Sequence, residues 1–118
     1  MTPETAYQEL IQRVKEHGLL SSCASVLGWD ERTYMPHQGS AHRAEQIALL
    51  ARMTHEMLTH PRIGECLSAA EGSELVRAPE SDAAVNVREI RRAYDRAVKL
   101  PKELVEEIAR VTTRAQQV

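Results

Sequence analysis

The sequence predicts an all-α fold, an antiparallel bundle of about four to six helices. Three observations predict it. Apolar residues recur at the i, i+3, i+4, i+7 spacing of amphipathic helices along the chain. No stretch shows the two-residue alternation of a half-buried strand. Aromatic residues make up only 3%, with no Phe, so the core must be built from Leu, Ile, Val, Ala and Met, which suits close helix packing.

The first helix follows from Tyr7, Leu10, Ile11 and Val14, with Thr2 as its cap and Pro3 in its first turn. Gly18 either ends this helix or only weakens it. The next stretch, LLSSCASVLGWD, is apolar on nearly every side and predicts a buried helix. Pro36 and Gly39 break the pattern, and Ser40 suits an N-cap. A second amphipathic helix runs from Ala41 to Leu58, with Ile47, Leu50, Ala51, Thr54 and Leu58 on one face. Pro61 opens a short helix that Gly72 terminates. Residues 72–80 read as a connection. Ser81 or Asp82 caps a helix through Val98, with Ala83, Val87, Ile90, Tyr94 and Val98 inward. Pro101 starts the last helix, expected to turn Leu104, Ile108, Val111 and Ala115 inward.

At 118 residues the chain suits one domain with one core, thin for a domain that stands alone. Fifteen basic and 17 acidic residues leave a net charge of −2, so bulk charge recruits neither nucleic acid nor an anionic membrane. No apolar run approaches the roughly 18 residues a bilayer requires. The first residues, MTPETAYQEL, lack the basic and apolar segments of a signal peptide, and a cytoplasmic protein is expected. Cys23 and Cys66 form no CxxC pair, and each is expected to be a small apolar filler.

The segment THEMLTHP, Thr54 to Pro61, resembles a zinc-protease motif but has the wrong spacing. In an HExxH helix the two histidines lie about 40° apart on one face, whereas the five-residue step from His55 to His60 turns them roughly 140° apart. Joint ligation needs the helix to end between them, which Pro61 permits. Two ligands still fall short of the three or four of a zinc site, and His17, His37 and His42 come from other segments. No metal site is expected in this chain. The serines around Cys23 lack a G-x-S-x-G elbow, and no glycine-rich phosphate loop occurs. In REIRRAYDRAVK, five basic residues are interrupted by Glu89 and Asp95, which reads as an ion-paired face with Asp95 set for Lys99.

GWDERTYMP, Gly28 to Pro36, concentrates the only Trp with an acidic pair, a Tyr, a Met and a Pro. Two readings stand. In one, Trp29, Asp30 and Tyr34 line a cleft and offer a carboxylate and aromatic edges to a substrate. In the other, the segment is a helix C-terminus anchored by Trp.

The run LLSSCASVLGWDERTYMP, followed by SAHRAEQIALLARMTHEML, resembles the N-terminal region of the thermostable carboxypeptidase Taq family of metallocarboxypeptidases. The W-D-x-x-T-x-M-P pattern and the R-A-x-Q run carry the likeness, and NVREIRRAYDRAVKLPKELVEEIARVTTRAQQV resembles the helices that follow. The resemblance implies a much longer, nearly all-helical enzyme that removes single residues from peptide C-termini. It also implies zinc or cobalt, held by two histidines of an HExxH helix and a downstream glutamate, with the motif's glutamate as base. None of those residues maps onto this sequence. What carries over is architectural: N-terminal helices walling and covering a substrate groove, which Trp29, Asp30 and Tyr34 would approach.

The last helix meets no stop signal in TTRAQQV, so a truncated larger protein is expected; the resemblance implies that the chain is its N-terminal part, silent without the metal ligands. The alternative is a stand-alone helical module derived from that enzyme. Its uncovered apolar faces would make it a homo-oligomer.

Overall fold

A computed structural model describes residues 1–115. The described residues are all-α, with five α-helices: α1 (Pro3–Thr33), α2 (Ser40–Leu58), α3 (Pro61–Glu71), α4 (Asp82–Ala97) and α5 (Lys102–Ala115). Short 3-10 helices lie at His37–Gly39 and Glu74–Val76. Among the described residues there is no strand, and no helix is long and apolar enough to cross a membrane.

The starts and stops follow from local chemistry. Thr2 and Thr5 cap α1 reciprocally: the Thr5 amide donates to Thr2 Oγ1 (3.2 Å), and the Thr2 amide to Thr5 Oγ1 (3.0 Å). Gly18 does not end the helix, which runs unbroken for 31 residues. At α3, the His60 ring accepts the Arg62 amide at Nδ1 (3.0 Å), Pro61 fills the first turn, and Gly72 follows the last residue. At α4 the cap is Ser81, whose hydroxyl accepts the Ala84 amide (3.2 Å).

The helices form two compact units, one of Met1–Glu16 with Met57–Lys99, the other of His17–Glu56 with the segment from Leu100 onward. The first has a true core: Ala6 and Leu10 of α1, Ile63, Cys66, Leu67 and Ala70 of α3, and Val87 of α4 are buried together. Tyr7, Val14, Val76, Ile90 and Tyr94 pack around them. Gly64 makes room for this packing: a Cβ on it would lie 2.7 Å from Tyr94 Oη, and the ring would have to move. On the predicted inner face of α4, Val87 is buried, but Val98 is 47% exposed at the helix end.

Polar side chains brace this unit. Arg62 grips Glu9 with two hydrogen bonds (Nε–Oε2 2.6 Å, Nη2–Oε1 2.9 Å), and Arg13 adds a third (3.0 Å). These donors hold the Glu9 carboxyl well below its usual range, at about 2. Arg91 grips Glu71 the same way (2.9 and 2.8 Å) and also reaches Asp95 (3.3 Å), with its guanidinium carbon 5.8 Å from the Tyr94 ring centroid. Within the basic stripe, Arg91 and Arg92 are ion-paired, Arg92 with Glu89 (3.4 Å), and Asp95 pairs with Arg91 rather than with the expected Lys99.

The second unit is built differently. Its buried residues are Ala44, Ala48, Glu31 and Thr113, with no large apolar side chain fully enclosed among the described residues. Ten of the 13 exposed large hydrophobic residues belong to it, including Leu19, Val26, Leu104, Ile108 and Val111. Two expectations are corrected. The stretch from Leu19 to Asp30 is helical but not buried, and Cys23 on it is exposed, while Cys66 fills the core as expected. On α5, Leu104, Ile108, Val111 and Ala115 face solvent, and Thr113 is the buried residue. The physical reason is shared: an apolar stripe marks where a helix can be covered, and this chain covers α5 from the opposite side.

Candidate functional site

The segment singled out by its composition lies where α1 stops. Thr33 closes the helix by donating from Oγ1 to the Trp29 carbonyl (2.7 Å). The amides of Tyr34 and Met35 then both donate to the Asp30 carbonyl (2.9 and 2.8 Å). This double closure folds the chain back, so the Tyr34 ring meets the Trp29 ring with centroids 5.3 Å apart and planes tilted by 60°. Trp29 is 53% exposed and Tyr34 74%. They form an aromatic pair open to solvent at the C-terminal end of α1.

Asp30 is occupied. Arg43 of α2 donates from one nitrogen, Nη1, to both Asp30 Oδ2 (3.0 Å) and the Leu27 carbonyl (2.8 Å). Gln46 holds the other side of the guanidinium, accepting from Nε at 2.9 Å. The Arg43 side chain keeps only 15% of its exposure, against 37% for Asp30. The tryptophan-aspartate pattern and the R-A-x-Q run are therefore two halves of one clasp, with Ala44 of the same run fully buried. Sequence reasoning named Asp30 and missed its partner Arg43 and the Gln46 that holds Arg43 in place. The available signal was the joint occurrence of the two runs, not helical periodicity.

The clasp offers chemistry of one kind. It presents two aromatic rings beside a carboxylate that is paired with Arg43. The histidines do not supply metal chemistry. Helix α2 does end between His55 and His60, but His60 Nδ1 caps α3, and His55 Nε2 lies 2.7 Å from the Leu100 carbonyl. No group of three or more His, Cys, Asp or Glu suited to a metal ion occurs among the described residues. Among the described residues, then, no cluster matches the two-histidine and glutamate site implied by the resemblance.

The second unit is stitched by further ion pairs. Arg110 of α5 meets Glu45 of α2 at 2.7 Å and also Glu106 (3.0 Å) and Glu107 (2.5 Å), while Arg114 adds to Glu45 (3.2 Å) and Lys102 pairs with Glu56 (3.3 Å). The Arg110 guanidinium holds the Glu45 carboxyl below its usual range. These pairs fix α5 against α2 by its polar side, which leaves the apolar side open.

Comparison with known proteins gives this arrangement a context. The family described as carboxypeptidase Taq (M32) metallopeptidase matches residues 9–118. The thermostable carboxypeptidase 1 of Thermus thermophilus is 50% identical over 116 residues, 98% of this chain and 23% of that protein. A thermostable carboxypeptidase 1 of Pyrococcus furiosus is 27% identical over 112 residues, 92% of this chain and 21% of that protein. The chain thus spans less than a quarter of the length of these curated relatives.

Proposed function

Because the chain belongs to the carboxypeptidase Taq (M32) metallopeptidase family, we propose that it serves as the N-terminal helical portion of a metal-dependent carboxypeptidase acting on peptide C-termini. Its helices act as wall and cover, and the clasp at Asp30 and Arg43 orients Trp29 and Tyr34 towards the groove. The zinc or cobalt and its ligands come from further chain, so these 118 residues are silent alone in the cytoplasm. The observation that carries the reading is the second unit's open apolar face: apolar residues face out from α1 and α5 while ion pairs such as Arg110–Glu45 hold α5 against α2. That is the pattern of a surface awaiting more protein.

The test is a peptidase assay on the purified chain with added zinc or cobalt, alone and mixed with a family carboxypeptidase lacking its own N-terminal quarter. We expect no release of C-terminal residues from the chain alone and restored release from the mixture. Turnover by the chain alone would overturn the claim of silence.

The same open face supports a second reading, a self-associating helical module. Sedimentation at high concentration separates the two: a compact, monodisperse monomer counts against the module.

A further inference from the structure

One group in the second unit is used neither by its packing nor by the reading above. The Glu31 side chain is 95% buried, and neither carboxylate oxygen has a hydrogen-bond partner. It lines a pocket of about 440 Å³ among α1, α2 and α5, whose walls include Ile47, Ala51, Val105 and Ile108. The three other polar side chains of the lining leave Glu31 unpaired: the Thr113 hydroxyl donates to the Ala109 carbonyl (2.8 Å), and exposed Arg32 and Thr112 reach neither oxygen.

A carboxylate in an apolar wall is costly unless it is paired and hydrogen-bonded. A divalent metal is the wrong complement, because it needs several donors and Glu31 is not part of a ligating group. The complement that fits is one positive head with N–H donors on an aliphatic stem. The head would take both orphaned oxygens, and the stem would lie against Ile47, Ala51, Val105 and Ile108.

We infer that this pocket is a binding site for an alkylammonium or alkylguanidinium group, received by Glu31 and the apolar wall around it. Two sources share that chemistry: a free small amine, and a lysine or arginine side chain of a polypeptide. The inference stands on the second unit alone and holds whether or not the chain is part of a peptidase.

The experiment follows the backbone amide shifts of the full chain by NMR during titration with n-butylamine or Nα-acetyl-arginine N-methylamide. At least one is expected to saturate, in the millimolar range, with shifts centred on α1, α2 and α5. Saturation by the amine alone assigns a free small amine; saturation by the arginine derivative alone assigns a polypeptide side chain. Glu31→Gln should weaken binding at least roughly tenfold, and n-butanol, with the stem but no charge, should not saturate. Ala51→Leu, which narrows the wall and keeps the carboxylate, should also weaken binding, so the test survives if one variant fails to fold. Saturation by neither cation overturns the proposal. So does a folded Glu31→Gln chain that binds within about twofold of the parent.

Discussion

Asp30→Ala tests the clasp most directly. The substitution removes the carboxylate from an arginine whose side chain keeps 15% of its exposure. A hydrogen bond to a charged group contributes about 1.5–3 kcal/mol when shielded. Asp30 is itself 37% exposed, so solvent screens part of that, and we expect a loss of about 1–2 kcal/mol. Arg43→Met also gives up the bonds to Leu27 and Gln46 and should cost more, about 2–3 kcal/mol. The double variant should lose less than the sum of the two, with a coupling of about 1 kcal/mol. Urea unfolding followed by Trp29 fluorescence suits the measurement, since Trp29 is the only tryptophan and neighbours Asp30. A coupling below about 0.3 kcal/mol, with additive single losses, would show that the pair is idle and refute the reasoning.

Three further outcomes are expected. Leu67→Ala, at a fully buried site in the first unit, should cost about 3 kcal/mol in urea unfolding, by the cavity it leaves. Glu9 has a lowered carboxyl pKa, so the stability it contributes is fully present above the unfolded value, about 4.3, and is lost as the pH falls towards about 2. Acid unfolding of Glu9→Gln should accordingly lack the part of the pH dependence that the parent shows in that window. In a thiol-reagent assay on the native chain, exposed Cys23 should react rapidly and Cys66 slowly, because burial both shields the Cys66 thiol and raises its pKa. Equal rates would contradict the packing of α3.

The fold class was legible because it rests on local signals. Thr2, Pro3, Pro61, Gly72 and Ser81 mark helix ends by chemistry that acts within one turn, and each stands at the end it predicts. Exposure was not legible for α5 or the second half of α1. An apolar stripe is identical in sequence whether this chain covers it or another segment does, so Leu104 and Ile108 read as core and stand exposed. At the candidate site, Trp29 and Asp30 were found by composition. The Trp29–Tyr34 contact lies outside helical spacing, because the chain leaves the helix after Thr33. The Asp30–Arg43 pair spans the turn between α1 and α2, where periodicity carries no information. The orphaned Glu31 was invisible for the same reason: its burial is set by α2 and α5, not by its neighbours in sequence.

The close approach at Gly64 ties two distant positions together. Tyr94 occupies the space into which any side chain at position 64 would grow. The constraint runs one way: a larger residue at 64 becomes tolerable only after the ring at 94 has shrunk or swung aside. Among descendants of this sequence, replacement of Gly64 should therefore accompany a displaced ring or a smaller residue at position 94.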